Sequence, residues 1–366
     1  MDTLKVGILG AGGIAVQHGI GWKANAPRGE VVAIADVTPE RAKFFADGFT
    51  GGKAKLYAGI DELLADPDVE AVDICLPHHL HTTAIVAAAR AGKAILCEKP
   101  LCTSQEDAEF IGQTLQETGT TFVMAHNQLF QPSLIEARRL LTGGLLGRPF
   151  VFRSIEAFQH RGMQGNQLPA HLATGESPWA WRADVSRMGG GEVLDTGWHA
   201  SYRLLALADD RPVEVSAMID RFFVPGLTTE DTGVLLIRFA SGAIGEIITT
   251  WAFGTIGAWH FEVAAELGSI AGAADRIMHQ MHGWPKPAVR TNEPIHTFTA
   301  EITHFLDVVQ QGHSSRATFA TAARVLQLTK AAYRSAAEHR VIALPENPIE
   351  PGLPADEYAE AATSAA

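Results

Sequence analysis

Apolar residues fall in short unbroken runs over the first third of the chain, and the stretches between them are rich in helix formers. Leu4–Leu9, Val31–Asp36, Lys55–Tyr57, Ala71–Leu76, Ala94–Cys97 and Thr121–Met124 read as strands. Ile14–Ala24, Pro39–Ala46, Ile60–Ala65, His79–Ala91 and Ser104–Glu117 read as helices. Strands that are apolar throughout and joined by helices build a parallel sheet covered on both faces, so residues 1–125 predict a doubly wound α/β domain. After Met124 the rhythm changes. Pro132–Leu141 reads as a helix stopped by Gly143-Gly144, Phe150–Ala157 as a strand, Phe158–Arg187 as a long polar loop, and Glu192–Leu207 as one helical run. Pro212–Phe223, Thr232–Phe239, Ala243–Trp251 and Trp259–Leu267 then follow as strands, with Ser241-Gly242 of hairpin type. Helices Ala300–Gln311 and Thr318–His339 close the pattern. Residues 126–345 therefore predict an α+β domain with a large, mostly antiparallel sheet.

Composition narrows the classes. The 366 residues are 46% hydrophobic and 19% charged, the balance of an ordinary globular chain. A formal charge of −12 argues against nonspecific binding of nucleic acid or an anionic membrane, both of which need a surplus of Lys and Arg. No stretch approaches the ~18 apolar residues of a membrane span. Leu4–Leu9 reads directly as a strand rather than a leader, and Cys75, Cys97 and Cys102 are too few for a disulfide framework, so a reducing, cytoplasmic setting is expected. Residues 346–366 form a separate acidic tail: Glu346, Glu350, Asp356, Glu357 and Glu360 stand there without Lys or Arg, and Pro345, Pro348, Pro351 and Pro354 recur at every third position.

Chemistry first shows where strand one ends. Gly10-Ala11-Gly12-Gly13-Ile14-Ala15 is the G-x-G-x-x-A form of the Rossmann dinucleotide fingerprint. Gly10 serves the tight turn, Gly12 lets a pyrophosphate approach the backbone at a helix N-terminus, and Ala15 permits close helix–strand packing. Gly13 and Ile14 belong to the same cradle. The second strand ends in Asp36, an acid that can hold the adenosine ribose hydroxyls and repel a 2′-phosphate, which points to NAD rather than NADP. His78, His79 and His81 follow the fourth strand, but two are adjacent and no Cys or carboxylate follows at structural-zinc spacing, so no metal is expected. Leu76, Pro77 and His81 read instead as a ligand-side loop.

The fifth strand ends in Glu98-Lys99-Pro100. With the glycine fingerprint upstream, Leu76-Pro77-x-x-x-His81, Gly144-x-x-Gly147 and Asp195-Thr-Gly-Trp-His199, the chain from about residue 4 to 345 resembles the glucose–fructose oxidoreductase/inositol dehydrogenase (Gfo/Idh/MocA) family. The resemblance implies that Lys99, Asp195 and His199 are the catalytic residues, and that Glu98 and Lys99 line the cofactor site. The residue chemistry agrees: a lysine can hold an alcohol oxygen and stabilise its developing charge, and an imidazole can take the proton beside an orienting carboxylate. Spaced four apart in one helix, Asp195 and His199 would share a face. At Leu129 many relatives have Arg, so a contact from that Arg is not expected here.

The polar loop Phe158–Arg187 is the expected substrate loop. His160, Arg161, Trp179, Trp181 and Arg182, with His171 and Arg187, combine rings with hydrogen-bond donors in a way that suits a sugar, and the arginines suit an anionic one. His279-x-x-His282 reads as a surface connection. The leading expectation is an NAD-dependent dehydrogenase of a secondary hydroxyl on a sugar, sugar derivative or cyclitol. Two others stand beside it: an NAD-dependent glycoside hydrolase working by transient C3 oxidation, and a non-catalytic NAD-binding sensor. An apolar open face on the second sheet would favour a homo-oligomer, dimer or tetramer.

Overall fold

The computed structural model describes residues 2–159, 180–254 and 259–348. The chain divides into two compact units, the first comprising Met1–Asn127, Gly165–Gly189 and His296–Ala322, the second Gln128–Gln164, Gly190–Ile295 and Ala323–Ala366.

In the first unit, strands β1 (Leu4–Leu9), β2 (Gly29–Ala35), β3 (Lys55–Tyr57), β4 (Ala71–Ile74), β5 (Ala94–Glu98) and β6 (Phe122–Ala125) alternate with helices α1 (Gly13–Ala24), α2 (Pro39–Phe45), α3 (Ile60–Leu64), α4 (His81–Arg90) and α5 (Gln105–Thr118). All strand pairs are parallel, in the order β3-β2-β1-β4-β5-β6. The chain order reverses between β1 and β4, the place where such sheets bind ligands. Every residue of β4 and β6 is buried, as expected of strands covered on both faces. Local signals set the helix ends. Ser104 accepts the Asp107 N–H at 3.1 Å to cap α5, Gly119 closes it at φ 65°, and Pro39 opens α2. β4 stops at Ile74 rather than Leu76, because the Cys75 N–H is the last to bond to β1, at Leu9 O.

Helix Thr297–Gln311, from far along the chain, completes this unit. It lies so close to α1 that a Cβ on Gly21 would come within 2.6 Å of Ile302. Trp22 and Phe305 meet edge to face with centroids 6.1 Å apart, Asn25 bonds to Thr299 and Thr303, and Arg28 pairs with Asp307 at 2.8 Å. Past it, the Met124 N–H donates to Ala317 O.

The second unit is built on a nine-stranded sheet of β7 (Pro149–Ala157), β8 (Pro212–Asp220), β9 (Thr232–Phe239), β10 (Ile244–Thr250), β11 (Phe261–Ala265), β12 (Gly268–Gly272), β13 (Arg276–Met281), β14 (Ala288–Thr291) and β15 (Ile342–Ala343). Its order is β14-β13-β12-β11-β7-β10-β9-β8-β15, antiparallel throughout except for β7 beside β10. Leu235, Ile237, Phe239 and Ile247 point inward and Val234, Leu236, Arg238 and Ile244 outward, a clean period of two. Two expectations are corrected. His279 lies within β13, paired with Ile270 of β12, and not in a surface connection. The single helix expected at Glu192–Leu207 is two, Glu192–Asp195 and Gly197–Ala208, because at Thr196 the bonding shifts and the His199 N–H reaches Thr196 O. No described helix is long and apolar enough to cross a membrane.

Phe305, fully buried against Trp22, is the main apolar anchor of the late helix. Phe305→Ala should lower the unfolding free energy by ~3–5 kcal/mol in urea titration; a loss under ~1 kcal/mol would mean that the helix is held by its polar contacts instead.

Candidate active site

β1 runs straight into a crowded turn. Gly10 adopts φ 91°, its N–H donates to Ala35 O at 2.8 Å, and a Cβ on it would lie 2.7 Å from Cys75 O, so only glycine fits. Gly12 presents the opposite situation, since nothing lies within 4 Å of where its Cβ would be. The N-terminus of α1 has no side-chain cap and no acid in its first turn. Its first N–H groups and the dipole behind them are therefore disposed toward an anion, with Gly13 and Ile14 exposed beside them. Asp36 accepts the Ala11 N–H through Oδ2 and the Thr38 N–H through Oδ1, each at 2.7 Å. The acid is tied to the glycine turn itself and keeps lone pairs for hydroxyl donors. An uncapped helix end, open backbone at Gly12 and a fixed carboxylate are together the donor set that a dinucleotide requires.

The next strand ends complete this side. Leu76 and Pro77 are half-buried after β4. His81 is fully buried, with Nδ1 2.6 Å from Pro100 O and Nε2 2.9 Å from Leu76 O, so it clamps the chain after β4 to the chain after β5. Burial pushes its pKa down, with the two carbonyls pulling against that shift. Lys99, next to Pro100, is half-buried, its backbone N–H donating to Glu98 Oε2 at 3.0 Å. His78 bonds to Met188 O, and its ring meets Trp181 edge to face at 4.5 Å. Trp181 is itself buried, and the Arg182 guanidinium stacks over it at 4.2 Å. Trp181 is thus a packing residue of the first unit and a platform for Arg182. His160, Arg161, His171 and Trp179 lie outside the described residues, as does most of the acidic tail.

In the second unit Asp195 ends its short helix, buried, and His199 lies half-buried in the next. His199 Nδ1 is 2.7 Å from the Tyr202 hydroxyl, which also accepts the Gln128 N–H. Behind it Arg203 is wholly buried, and its five N–H donors are all matched: Ser154 Oγ, Ile155 O, Gln128 Oε1 and two bonds to Glu156 Oε2. The helix bearing His199 is thereby pinned to β7. The start of the Asp195 helix is fixed differently. Glu230 accepts the N–H groups of Gly191 and Val193 and the Tyr333 hydroxyl, and a Cβ on Gly191 would fall 2.4 Å from Glu230 O. Glu192 Oε1 accepts from Thr249.

Residues 4–126 match the family model described as "Oxidoreductase family, NAD-binding Rossmann fold", and residues 134–271 match the GFO/IDH/MocA C-terminal domain. A 1,5-anhydro-D-fructose reductase of Ensifer adhaerens is 32% identical over 268 residues, covering 73% of this chain and 74% of that one. The chain belongs to the Gfo/Idh/MocA oxidoreductase family. Among other members similar to it, levoglucosan dehydrogenase of Pseudarthrobacter phenanthrenivorans is 27% identical across 94% of this chain and 99% of its own. Inositol 2-dehydrogenase of Rhizobium meliloti is 27% identical across 93% and 99%. A solved levoglucosan dehydrogenase in complex with NADH shares the fold at a TM-score of 0.82 and 24% identity, over 94% of this chain and 99% of that one. The first unit of this Gfo/Idh/MocA protein is accordingly an NAD-binding Rossmann domain, and its cofactor is NAD.

Several groups in this oxidoreductase escaped the reading from sequence: Arg203, Glu192, Glu230, and a buried set around His18. Arg203, between Tyr202 and Leu204, and Asp73, between Val72 and Ile74, are charged residues inside apolar runs, which was the available signal for those two. Burial pushes the Glu230 carboxyl up to about 7, although Tyr333 and the two amides pull against it. Its proton is therefore bound more tightly folded than unfolded, so the associated stability is present below the ordinary carboxylate pKa and is lost as pH rises to about 7. The melting temperature should fall between about pH 5 and about pH 7, and Glu230→Gln should flatten that slope, the difference amounting to ~3 kcal/mol. An unchanged slope in scanning calorimetry would assign the titration elsewhere.

Proposed function

We propose that this protein is an NAD-dependent dehydrogenase oxidising a secondary hydroxyl of a sugar, sugar derivative or cyclitol. The observation that carries the reading is the uncapped α1 N-terminus, open at Gly12 and flanked by Asp36, in a chain whose similar family members are named for anhydrofructose, levoglucosan and inositol. Asp36 favours NAD over NADP, because a carboxylate held on the glycine turn repels a 2′-phosphate. Leu76, Pro77 and Glu98 line the cofactor's side of the first unit, and His81 holds that side in shape. NAD, when bound, accepts the hydride from the carbinol carbon.

The chain's own groups handle the proton. Lys99, as an ammonium, holds the alcohol oxygen and stabilises its charge as the proton leaves. His199 accepts that proton, with Nδ1 oriented by Tyr202. Asp195 orients the imidazole or binds a neighbouring hydroxyl. Arg182, carried on Trp181, contributes a cation toward substrates bearing an acidic group, with His160, Arg161 and Trp179 assigned to the same loop.

A panel of cyclic polyols, anhydrosugars and sugar acids, followed by NADH absorbance, tests the reading. NAD should be preferred to NADP, and Lys99→Ala and His199→Ala should each lower kcat by about 10²-fold or more. Full activity in both variants would overturn the assignment of those residues. Release of the aglycone from an aryl glycoside without net NADH would replace net oxidation with redox-assisted glycoside cleavage. NAD binding without turnover of any substrate would indicate a sensor.

The outer face of the second sheet supports self-association. Val151, Ile244, Val234, Leu236 and Met218 stand exposed on the neighbouring strands β7, β10, β9 and β8, interrupted by Arg153 paired with Glu246 and Glu262. A homo-oligomer, dimer or tetramer, would cover this apolar stripe. Sedimentation should show one of these, and Leu236→Glu should shift it to a smaller species; a monomer at micromolar concentration would contradict it.

A further inference from the structure

Beneath the glycine turn lies a buried cluster that the catalytic assignment does not use. His18, on α1, is wholly buried. Its Nδ1 lies 2.9 Å from Asp73 Oδ2 on β4, and its Nε2 lies 3.0 Å from Glu98 Oε1 at the end of β5. Trp22, one turn further along α1, donates its indole N–H to the same Asp73 oxygen at 2.7 Å. The other Glu98 oxygen accepts the Lys99 N–H. A continuous chain of bonds thus runs Trp22–Asp73–His18–Glu98–Lys99, through three elements of the sheet and its covering helix.

Among the described residues, His18, Asp73 and Cys75 are also the one trio of metal-ligand types with donor atoms within 4.8 Å of one another. The chemistry speaks against a metal. Both imidazole nitrogens face carboxylate oxygens, so both need a proton and neither keeps a lone pair for a metal. The ring requires two N–H groups and is therefore an imidazolium. Burial works against that charge, but Asp73 beside it holds its pKa well above the ordinary value. From the other side, helix Thr297–Gln311 brings Phe298 to 5.4 Å from the His18 ring, and Glu301, whose carboxyl is buried without a hydrogen-bond partner among the described residues. Burial pushes the Glu301 carboxyl far up, and the Cys97 thiol of β5 likewise, which favours their uncharged forms. The groups bonded to the His18 ring are Asp73 and Glu98.

We propose that His18 is a positioning residue for the dehydrogenase reaction: bridging Asp73 and Glu98, it fixes the Glu98 carboxylate that orients the Lys99 backbone, and so sets where Lys99 is held. The proposal rests on the assignment of Lys99 made above. A purely structural histidine would serve equally well as a neutral ring with one bond. Here the geometry asks for a cation bonded at both ends, and one of its partners leads to the residue next to the reaction.

Two measurements test it. With ¹⁵N-histidine labelling and His18→Gln for assignment, the His18 ring should carry protons on both nitrogens at pH 8; a neutral ring there overturns the proposal whether or not a substrate is known. In turnover, His18→Gln should lower kcat about tenfold or more, with KM for the polyol changed less than about twofold. In an Glu98→Gln background the same substitution should cost less than about twofold, because no carboxylate is left to hold. An equal loss in both backgrounds, or full kcat in His18→Gln, overturns it. Should His18→Gln fail to fold, Asp73→Asn removes the anion that keeps the ring charged. Its kcat should then fall as pH rises over a range where the wild type is level, and a profile parallel to the wild type counts against the proposal. If the wild type oxidises no polyol, the function reading fails alone, while the ring protonation still decides the role of His18.

Discussion

At Gly10 the chain must pass between Ala35 O, to which it donates, and Cys75 O, which leaves no room for a side chain. Much of the first unit follows from that squeeze. It puts the N–H of Ala11 against Asp36, so the acid and the anion cradle are set by the same few backbone atoms. It also aims α1 along the sheet, so that His18 and Trp22, on successive turns of one face, arrive over Asp73. A residue larger than glycine at this position would disturb both the cofactor cradle and the charged cluster beneath it.

The second unit solves a different problem, which is how to keep acids close together in a dry interior. Arg203 neutralises Glu156 and spends every remaining donor on β7 and Gln128, so its buried charge is fully matched. Among the described residues no cation pairs with Glu192 or Glu230, and burial raises both carboxyls. The short helix that presents Asp195 is therefore held at carboxyls raised by burial, while the longer one that presents His199 stands on an ion pair.

Continuous apolar runs made the parallel sheet legible, because a strand buried on both faces has little else it can be. The glycine turn and Asp36 were legible because their chemistry is local. The strands β12, β13 and β14 were not. Gly268–Gly272, Arg276–Met281 and the fully exposed Ala288–Thr291 alternate weakly, and the edge of an open sheet asks little of its side chains. The helix break at Thr196 depends on hydrogen bonding that helix-forming composition does not reveal. His18 bonds to partners 55 and 80 positions away, so nothing near it in the chain announces its role. Resemblance to a family supplied Lys99, Asp195 and His199; the groups that hold them in place came only from three-dimensional contact.

Helix Thr297–Gln311 belongs to the first unit although roughly 170 residues separate it from the end of that unit's N-terminal segment. During synthesis the six parallel strands emerge early, but the surface of α1 that receives Phe305 and Thr303 stays uncovered until this helix leaves the ribosome. At ordinary elongation rates the wait is on the order of 10 to 30 seconds, long compared with the folding of a small domain. For that interval Trp22 and the His18 ring lack the cover that Phe305 and Phe298 later supply.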